Sequence, residues 1–502
     1  MRPTRADLAF GLAALITAGL LQAPGLIAGP SLDAAVFTVV GRELLAGAPL
    51  YAGVWDQKGP GVYLLAAAAQ AALPIADPST ALWVLSTLAA AASAVLVRSI
   101  GRADGMGRTA DVAGILAIPA MTMFPLALGG GESEALALPV ALGAVRLAVG
   151  PDPIGGGRSM LSGAILVAAG LISVQVLAAG AAILVVWWRM RHGLRWLGAR
   201  LLWAAGGGVL MLATTAAWLS LSGSIDAAYD ALVTFNGAYV ALARGRWPMG
   251  LLSSGAVDIA FCLAPYVVLA LVGSRTAGVP GGRLPWLAWL LADLVLILGQ
   301  ARAEGHYAIA VAPPLALLAA PGVVWVFREV SWRRPGWLVG VGALAVAVAL
   351  AFTYTAVVTG AALEGRGHNH RTQAQAVAAA LDRLGVDGSI LVWGNEPGLY
   401  LSADRPVAGR YVHIFGLTTP GYSTPGQVEE LVAELRRRPP AAIVDAGSPA
   451  PGAPGTVALL VPRPLASYAG HDLDVIDALR RFVAERYVVG ATVEGWIVYV
   501  PR

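Results

Sequence analysis

Apolar runs of about 15 to 22 residues, separated by clusters of arginine, limit what this 502-residue chain can fold into more than any other feature. As a helix, such a run crosses about 30 Å of hydrocarbon. A β-barrel would need segments of about ten residues that alternate polar and apolar, whereas Leu338 to Val358 is apolar on every face. With 57% hydrophobic and 13% charged residues and a mean hydropathy of +0.69, the chain lacks the polar surface a soluble protein of this length needs. We expect an all-α polytopic membrane domain over 1–360, with about eleven transmembrane helices plus interfacial helices, and a small α/β soluble domain over 361–502.

The arginines give the sidedness. With Arg2 and Arg5 inside, expected spans at Leu8 to Leu21, Thr80 to Val97, Ala110 to Leu128 and Ala135 to Val149 keep Arg98, Arg102, Arg108 and Arg158 on the same side. Tyr63 to Leu73 is too short to cross and reads as an interfacial helix. Two short helices meeting near Gln175 lead back to the cluster Arg189, Arg191, Arg195 and Arg200. Leu201 to Leu221, Leu251 to Val272, Leu284 to Leu298, Tyr307 to Phe327 and Trp337 to Thr359 complete the set, with Arg275, Arg283, Arg328, Arg333 and Arg334 inside. This puts the N-terminus in the cytoplasm of a bacterium, the chain in its plasma membrane and the C-terminal domain outside. The start resembles a signal peptide, but the spans that follow at once favour an uncleaved helix. The net charge of +4 resides in arginines that flank spans and calls for no nucleic-acid partner, and Cys262 lies within an apolar run, where no disulfide framework is implied.

After His368 the pattern changes to a helix at Thr372 to Leu384, an apolar run Ser389 to Trp393, a helix Pro425 to Arg438, a run Ala441 to Val444 and a helix Leu473 to Tyr487. Val488 to Val493 and Gly495 to Val500 then read as a hairpin.

Several outer-loop residues carry possible chemistry. Asp33, just after the first span, suits a general base at the membrane surface; it equally suits a helix N-cap. Lys58 is the only lysine among 34 basic residues, a point charge for a phosphate or a snorkelling anchor. Glu132 and Glu134 follow three glycines in a mobile outer loop; they offer ligands for a divalent cation, could orient an acceptor hydroxyl, or simply sit in a helix first turn. Arg302, His306 and Tyr307 suit a phosphate or an interfacial anchor. The segment with Phe235, Asn236, Tyr239, Arg244, Arg246 and Trp247 could cover the same site or lie as a plain interfacial helix. Basic residues outside run against the positive-inside bias and point to an anionic ligand.

Together these segments resemble the C-type superfamily of membrane glycosyltransferases, which includes protein mannosyltransferases, aminoarabinose transferases and a bacterial lipopolysaccharide galacturonosyltransferase-like group. The matching pieces are Asp33, Leu50-Tyr51, Lys58-Gly59-Pro60, the Glu132 to Glu134 loop, and His306-Tyr307 leading into Pro313-Pro314, over about residues 1 to 360. The resemblance implies inverting transfer of a sugar from a polyprenyl-phosphate donor to an envelope glycan, lipid or protein at the outer face. Asp33 takes the catalytic position, and Lys58, Arg302 and His306 stand by the leaving phosphate. The chain departs from the pattern at Ala34, where protein mannosyltransferases carry Glu, at Gly59-Pro60-Gly61 in place of Pro-Pro-Leu, and at Gln175 in place of a basic residue. In the tail, Trp393 could stack on a sugar or serve as a core aromatic. The competing readings are a transporter or flippase for lipid-linked sugars and an envelope scaffold.

Overall fold

The computed structural model describes residues 4–75, 77–149, 155–190, 193–245, 254–274, 282–300, 304–328, 336–364, 371–446 and 476–502. Its membrane part is a helical bundle. Helix α1 (Arg5–Ala28) opens with a capping box in which Thr4 and Asp7 satisfy each other's backbone amides, and ends at Gly29. It is longer than the expected Leu8 to Leu21 because Pro24 is accommodated within it. The short α2 (Leu32–Leu45) and α3 (Pro60–Ala72) follow, then α4 (Pro78–Ala103) and α5 (Thr109–Thr122).

The third expected span breaks near its end. Pro125 cannot donate to a continuing helix, so a separate turn, α6 (Phe124–Ala127), forms after Met123 and closes on Leu128 in the left-handed region. Helices α7 (Ser133–Ala148) and α8 (Gly156–Gly170) lead to a 3-10 turn, Val174–Ala178, which holds Gln175 at the tip of the expected hairpin before α9 (Ala179–Arg189). Next come α10 (Leu194–Leu221) and α11 (Ile225–Tyr229), joined to α12 (Asn236–Arg244) by one π-helical stretch. Helices α13 (Ser254–Ser274), α14 (Leu284–Gly299), α15 (Ala312–Arg328) and α16 (Gly336–Leu363) complete the bundle. The expected span starting at Tyr307 instead begins with a 3-10 turn, Gly305–Ile309.

Five of these helices, α1, α4, α10 and most of α13 and α16, are long and apolar enough to cross a membrane. The protein is an integral membrane protein. At the end of the bundle where α1 begins, Arg98 and Arg102 of α4 each pair with both Asp7 and Asp111, at 2.6 to 3.1 Å.

The C-terminal region contains α17 (Arg371–Arg383), β1 (Ile390–Trp393), α18 (Gly398–Ser402), α19 (Phe415–Thr418), α20 (Pro425–Arg437), β2 (Ala442–Asp445), α21 (Asp477–Arg486), β3 (Tyr487–Val493) and β4 (Trp496–Pro501). The strands form one sheet in the order β1-β2-β4-β3. Strands β1 and β2 are parallel, with Ile390 beside Ala442, and buried along their length; β3 and β4 form the expected antiparallel hairpin. Trp393 is 1% exposed and belongs to this core. The expected helix start at Leu473 lies outside the described residues, as does His368.

Polar contacts seat this region on the bundle. Arg371 donates to the Leu26 carbonyl and pairs with Asp77. Arg42 of α2 donates to the carbonyls of Tyr400 and Arg405, and the Trp55 amide donates to the Arg410 carbonyl. Trp55 lies edge-on to Phe235 and stacks on Tyr422, with Tyr411 and His413 beside it.

Candidate active site

Ser31, not Asp33, is the N-cap of α2: its hydroxyl accepts the Ala34 amide at 3.2 Å. Asp33 therefore sits inside the first turn with its carboxylate free to face the bundle. Lys58 Nζ lies 3.4 Å from Asp33 Oδ2. The Lys58 and Asp33 side chains are 24% and 30% exposed, so the pair is reachable by a ligand.

The glycine turn sets the next carboxylate. Gly129, Gly130 and Gly131 all take positive φ, and a Cβ on Gly131 would come within 2.6 Å of Ala34 Cβ. Only glycine lets the turn lie directly on α2. The turn ends in Glu132 at the start of α7, with Oε1 accepting the Ser31 hydroxyl at 2.7 Å. Its other oxygen, Oε2, has no hydrogen-bond partner among the described residues and stands 4.0 Å from His306 Nδ1, and the side chain is 1% exposed. Asp33, Glu132 and His306 each present one ligand atom, all within 4.8 Å of one another.

The glutamate loop is buried, because the positive-φ turn packs it against α2 and α4. Glu134 is equally buried but accepts hydroxyls from Ser173 at 2.9 Å and Ser133 at 3.2 Å, so its needs are met by serines. It is not part of the three-residue cluster.

The charges shift one another. Burial works to raise Asp33, but Lys58 and then His306 outweigh it and hold the carboxyl below its usual range. Burial works to lower Lys58, but Asp33, with Glu134, Tyr307 and Glu132 behind it, raises the ammonium above its usual value. Glu132 moves the other way. Burial pushes it up to about 7, with Asp33 and Glu134 adding to the rise against His306 and Ser31. A buried carboxylate with one oxygen unbonded is costly. A divalent cation fits this cluster, since two carboxylates and an imidazole are suitable donors and the orphaned Oε2 of Glu132 would gain a partner.

The Lys58 loop is held by a network whose far end, His413, sequence reasoning missed. Asp56 Oδ1 meets His413 Nε2 at 2.8 Å, and its other oxygen accepts the Tyr63 hydroxyl. The Lys58 amide donates to Tyr63 Oη at 3.0 Å, and Tyr51 donates to the Lys58 carbonyl at 2.8 Å. Gly59-Pro60-Gly61 has a physical reason here: a Cβ on Gly59 would stand 2.2 Å from the Leu171 carbonyl oxygen, which accepts the Gly61 amide at 2.9 Å. No spacing in the sequence links His413 to Asp56, 357 residues away.

Of the remaining expected residues, Tyr307 packs edge-on against His306 with ring centroids 4.7 Å apart. Arg244 is exposed and donates to the Gly299 carbonyl at 3.4 Å, and it is not in the Asp33 cluster. Arg246, Trp247 and Arg302 lie outside the described residues.

The fold is that of the C-type membrane glycosyltransferases. The chain is similar to ArnT from Cupriavidus metallidurans: at 13% identity, 98% of this chain covers 97% of the form bound to undecaprenyl phosphate with a TM-score of 0.56. Against the apo form the identity is 14% and the TM-score 0.57, with the same coverage of both chains. It is also similar to the arabinofuranosyltransferase AftD from Mycobacteria, at 14% identity and a TM-score of 0.51, over 100% of this chain and 40% of that one. No protein-family model matches the sequence, and no curated protein matches it.

Proposed function

We propose that this protein is a glycosyltransferase that moves a sugar from a polyprenyl-phosphate donor to an envelope acceptor, a glycan, lipid or protein, at the outer face of a bacterial plasma membrane. The observation that carries the reading is the convergence of Asp33, Lys58, Glu132 and His306 at one end of a bundle with this fold. Support for the lipid donor comes from the similar ArnT structure, which is bound to undecaprenyl phosphate. We assign the cytoplasmic side to the opposite, arginine-bearing end, and the extracytoplasmic role to residues 361–502.

In this reading the donor phosphate takes up the Lys58 ammonium, which releases Asp33 from its ion pair. The acceptor oxygen attacks the anomeric carbon and its proton passes to the Asp33 carboxylate. The bond from that carbon to the phosphate oxygen breaks, its electron pair leaves with the polyprenyl phosphate, and the anomeric configuration inverts. Lys58 stabilises the charge that grows on the leaving group. Asp33, Glu132 and His306 would hold a divalent cation, which would supply further positive charge beside the phosphate.

The test is mass spectrometry of envelope glycans and polyprenyl lipids from a deletion strain. The expected result is loss of one sugar from an envelope product and accumulation of its polyprenyl-phosphate form, reversed by the wild-type chain. An unchanged set of glycans and lipids would refute the proposal.

A further inference from the structure

The C-terminal region reaches the candidate site through a continuous line of hydrogen bonds. His413 Nδ1 accepts the Phe415 amide at 3.3 Å, which leaves Nε2 as the protonated nitrogen of a neutral ring, donating to Asp56 at 2.8 Å. Both side chains are nearly sealed, at 2% and 3% exposure, so neither can touch a substrate. Asp56 accepts the Tyr63 hydroxyl through its second oxygen, and Tyr63 Oη accepts the Lys58 amide. Tyr51, itself buried, fixes the Lys58 carbonyl from the other side. Two tyrosine hydroxyls therefore hold both halves of the Lys58 backbone. The only side chain in this line that stays accessible is Lys58 itself.

From this geometry we infer that His413 and Tyr63 are positioning residues for Lys58. The docked C-terminal region locks the loop 56–58 so that the ammonium is presented beside Asp33, and undocking it would loosen the site. Lines of buried, fully satisfied hydrogen bonds fix geometry more than they add stability. Aromatic packing of Trp55 against Tyr411, His413 and Tyr422 ties the same loop to the same region independently of the polar line. The inference rests on the assignment of Lys58 to the donor phosphate.

The experiment measures affinity of the full-length purified protein for undecaprenyl phosphate, in single and double variants. Lys58→Met is expected to weaken binding by about 10- to 100-fold, as loss of a charged hydrogen bond does. With Lys58 present, Tyr63→Phe and His413→Ala should each weaken it by about 5- to 30-fold. In the Lys58→Met background the same changes should cost less than about 2-fold, because their effect passes through Lys58. His413→Gln, which keeps an amide donor for Asp56, should recover affinity to within about 3-fold of wild type.

Equal losses in both backgrounds would show general loosening of the fold and overturn the positioning role. So would unchanged affinity in Tyr63→Phe while Lys58→Met binds weakly. If Lys58→Met itself binds normally, the donor-phosphate assignment fails first.

Discussion

At the start of α1, Arg98 donates to Asp111 at 2.6 Å and to Asp7 at 2.7 Å, and Arg102 completes the square with both carboxylates. At the far end of the same helix, Glu132 keeps one oxygen unbonded among the described residues, Asp33 and Lys58 pair loosely at 3.4 Å, and His306 stands 4.0 Å from the Glu132 carboxylate. Both ends place about equal numbers of acids and bases at helix termini. They differ in saturation: each carboxylate of the first cluster meets two guanidinium groups, whereas the second leaves a buried oxygen of Glu132 without a hydrogen bond among the described residues. Saturated charge fixes helices against one another, and unsaturated buried charge is kept where a ligand will complete it.

Substitutions at the two ends should separate along this line. The largest expected effect is on transfer, where Glu132→Gln and His306→Ala are each expected to reduce the rate by about 100-fold, by weakening the proposed cation site. Thermal stability of Glu132→Gln should stay level or rise, because a poorly compensated buried carboxylate is removed. A melting scan beside a transfer assay checks both. Arg98→Ala should do the opposite. It takes one of two guanidinium partners from both acids at a side chain that is 8% exposed and should cost about 2 kcal/mol of stability, with transfer per folded molecule near normal.

The smallest effect is in pH. The pKa of Glu132 rises to about 7 on folding, so the folded chain keeps its proton longer than the unfolded one. Its contribution is full below the unfolded value of 4.5 and is lost as pH rises toward about 7. Without added divalent cation, stability should fall across that window. Glu132→Gln should flatten the slope; a slope unchanged by that substitution would contradict the assignment.

Sequence carried the bundle further than the site. Apolar length and arginine placement located helices at α4, α7, α10 and α13, and even the short hairpin at Gln175, because each helix in lipid satisfies its own backbone. Alternation and turn chemistry gave the β3–β4 hairpin. Helix breaks were less legible: Pro24 bends into α1 without ending it, while Pro125 starts a new turn. The difference depends on what packs nearby.

At the site, the outer-loop reading named Asp33, Lys58, Glu132 and His306, which the fold brings together. It also named Arg244, which the fold sends elsewhere. Charge and sidedness are visible along a chain, whereas direction is set by packing. Ser31 was hidden for that reason. Its two tasks, capping α2 and donating to Glu132, exist only once the glycine turn lies on α2. His413 was hidden more completely, since its partner Asp56 is distant in sequence and no motif marks the histidine.

The most direct test of the central claim is cleavage of an undecaprenyl-phosphate sugar by the purified protein and its Asp33→Asn variant. The wild-type chain should release undecaprenyl phosphate with transfer of the sugar, and the variant should be slower by about 1,000-fold or more while melting at the same temperature. Equal release by both proteins would contradict Asp33 as the base; movement of the intact lipid-linked sugar across a bilayer without cleavage would make the protein a transporter instead.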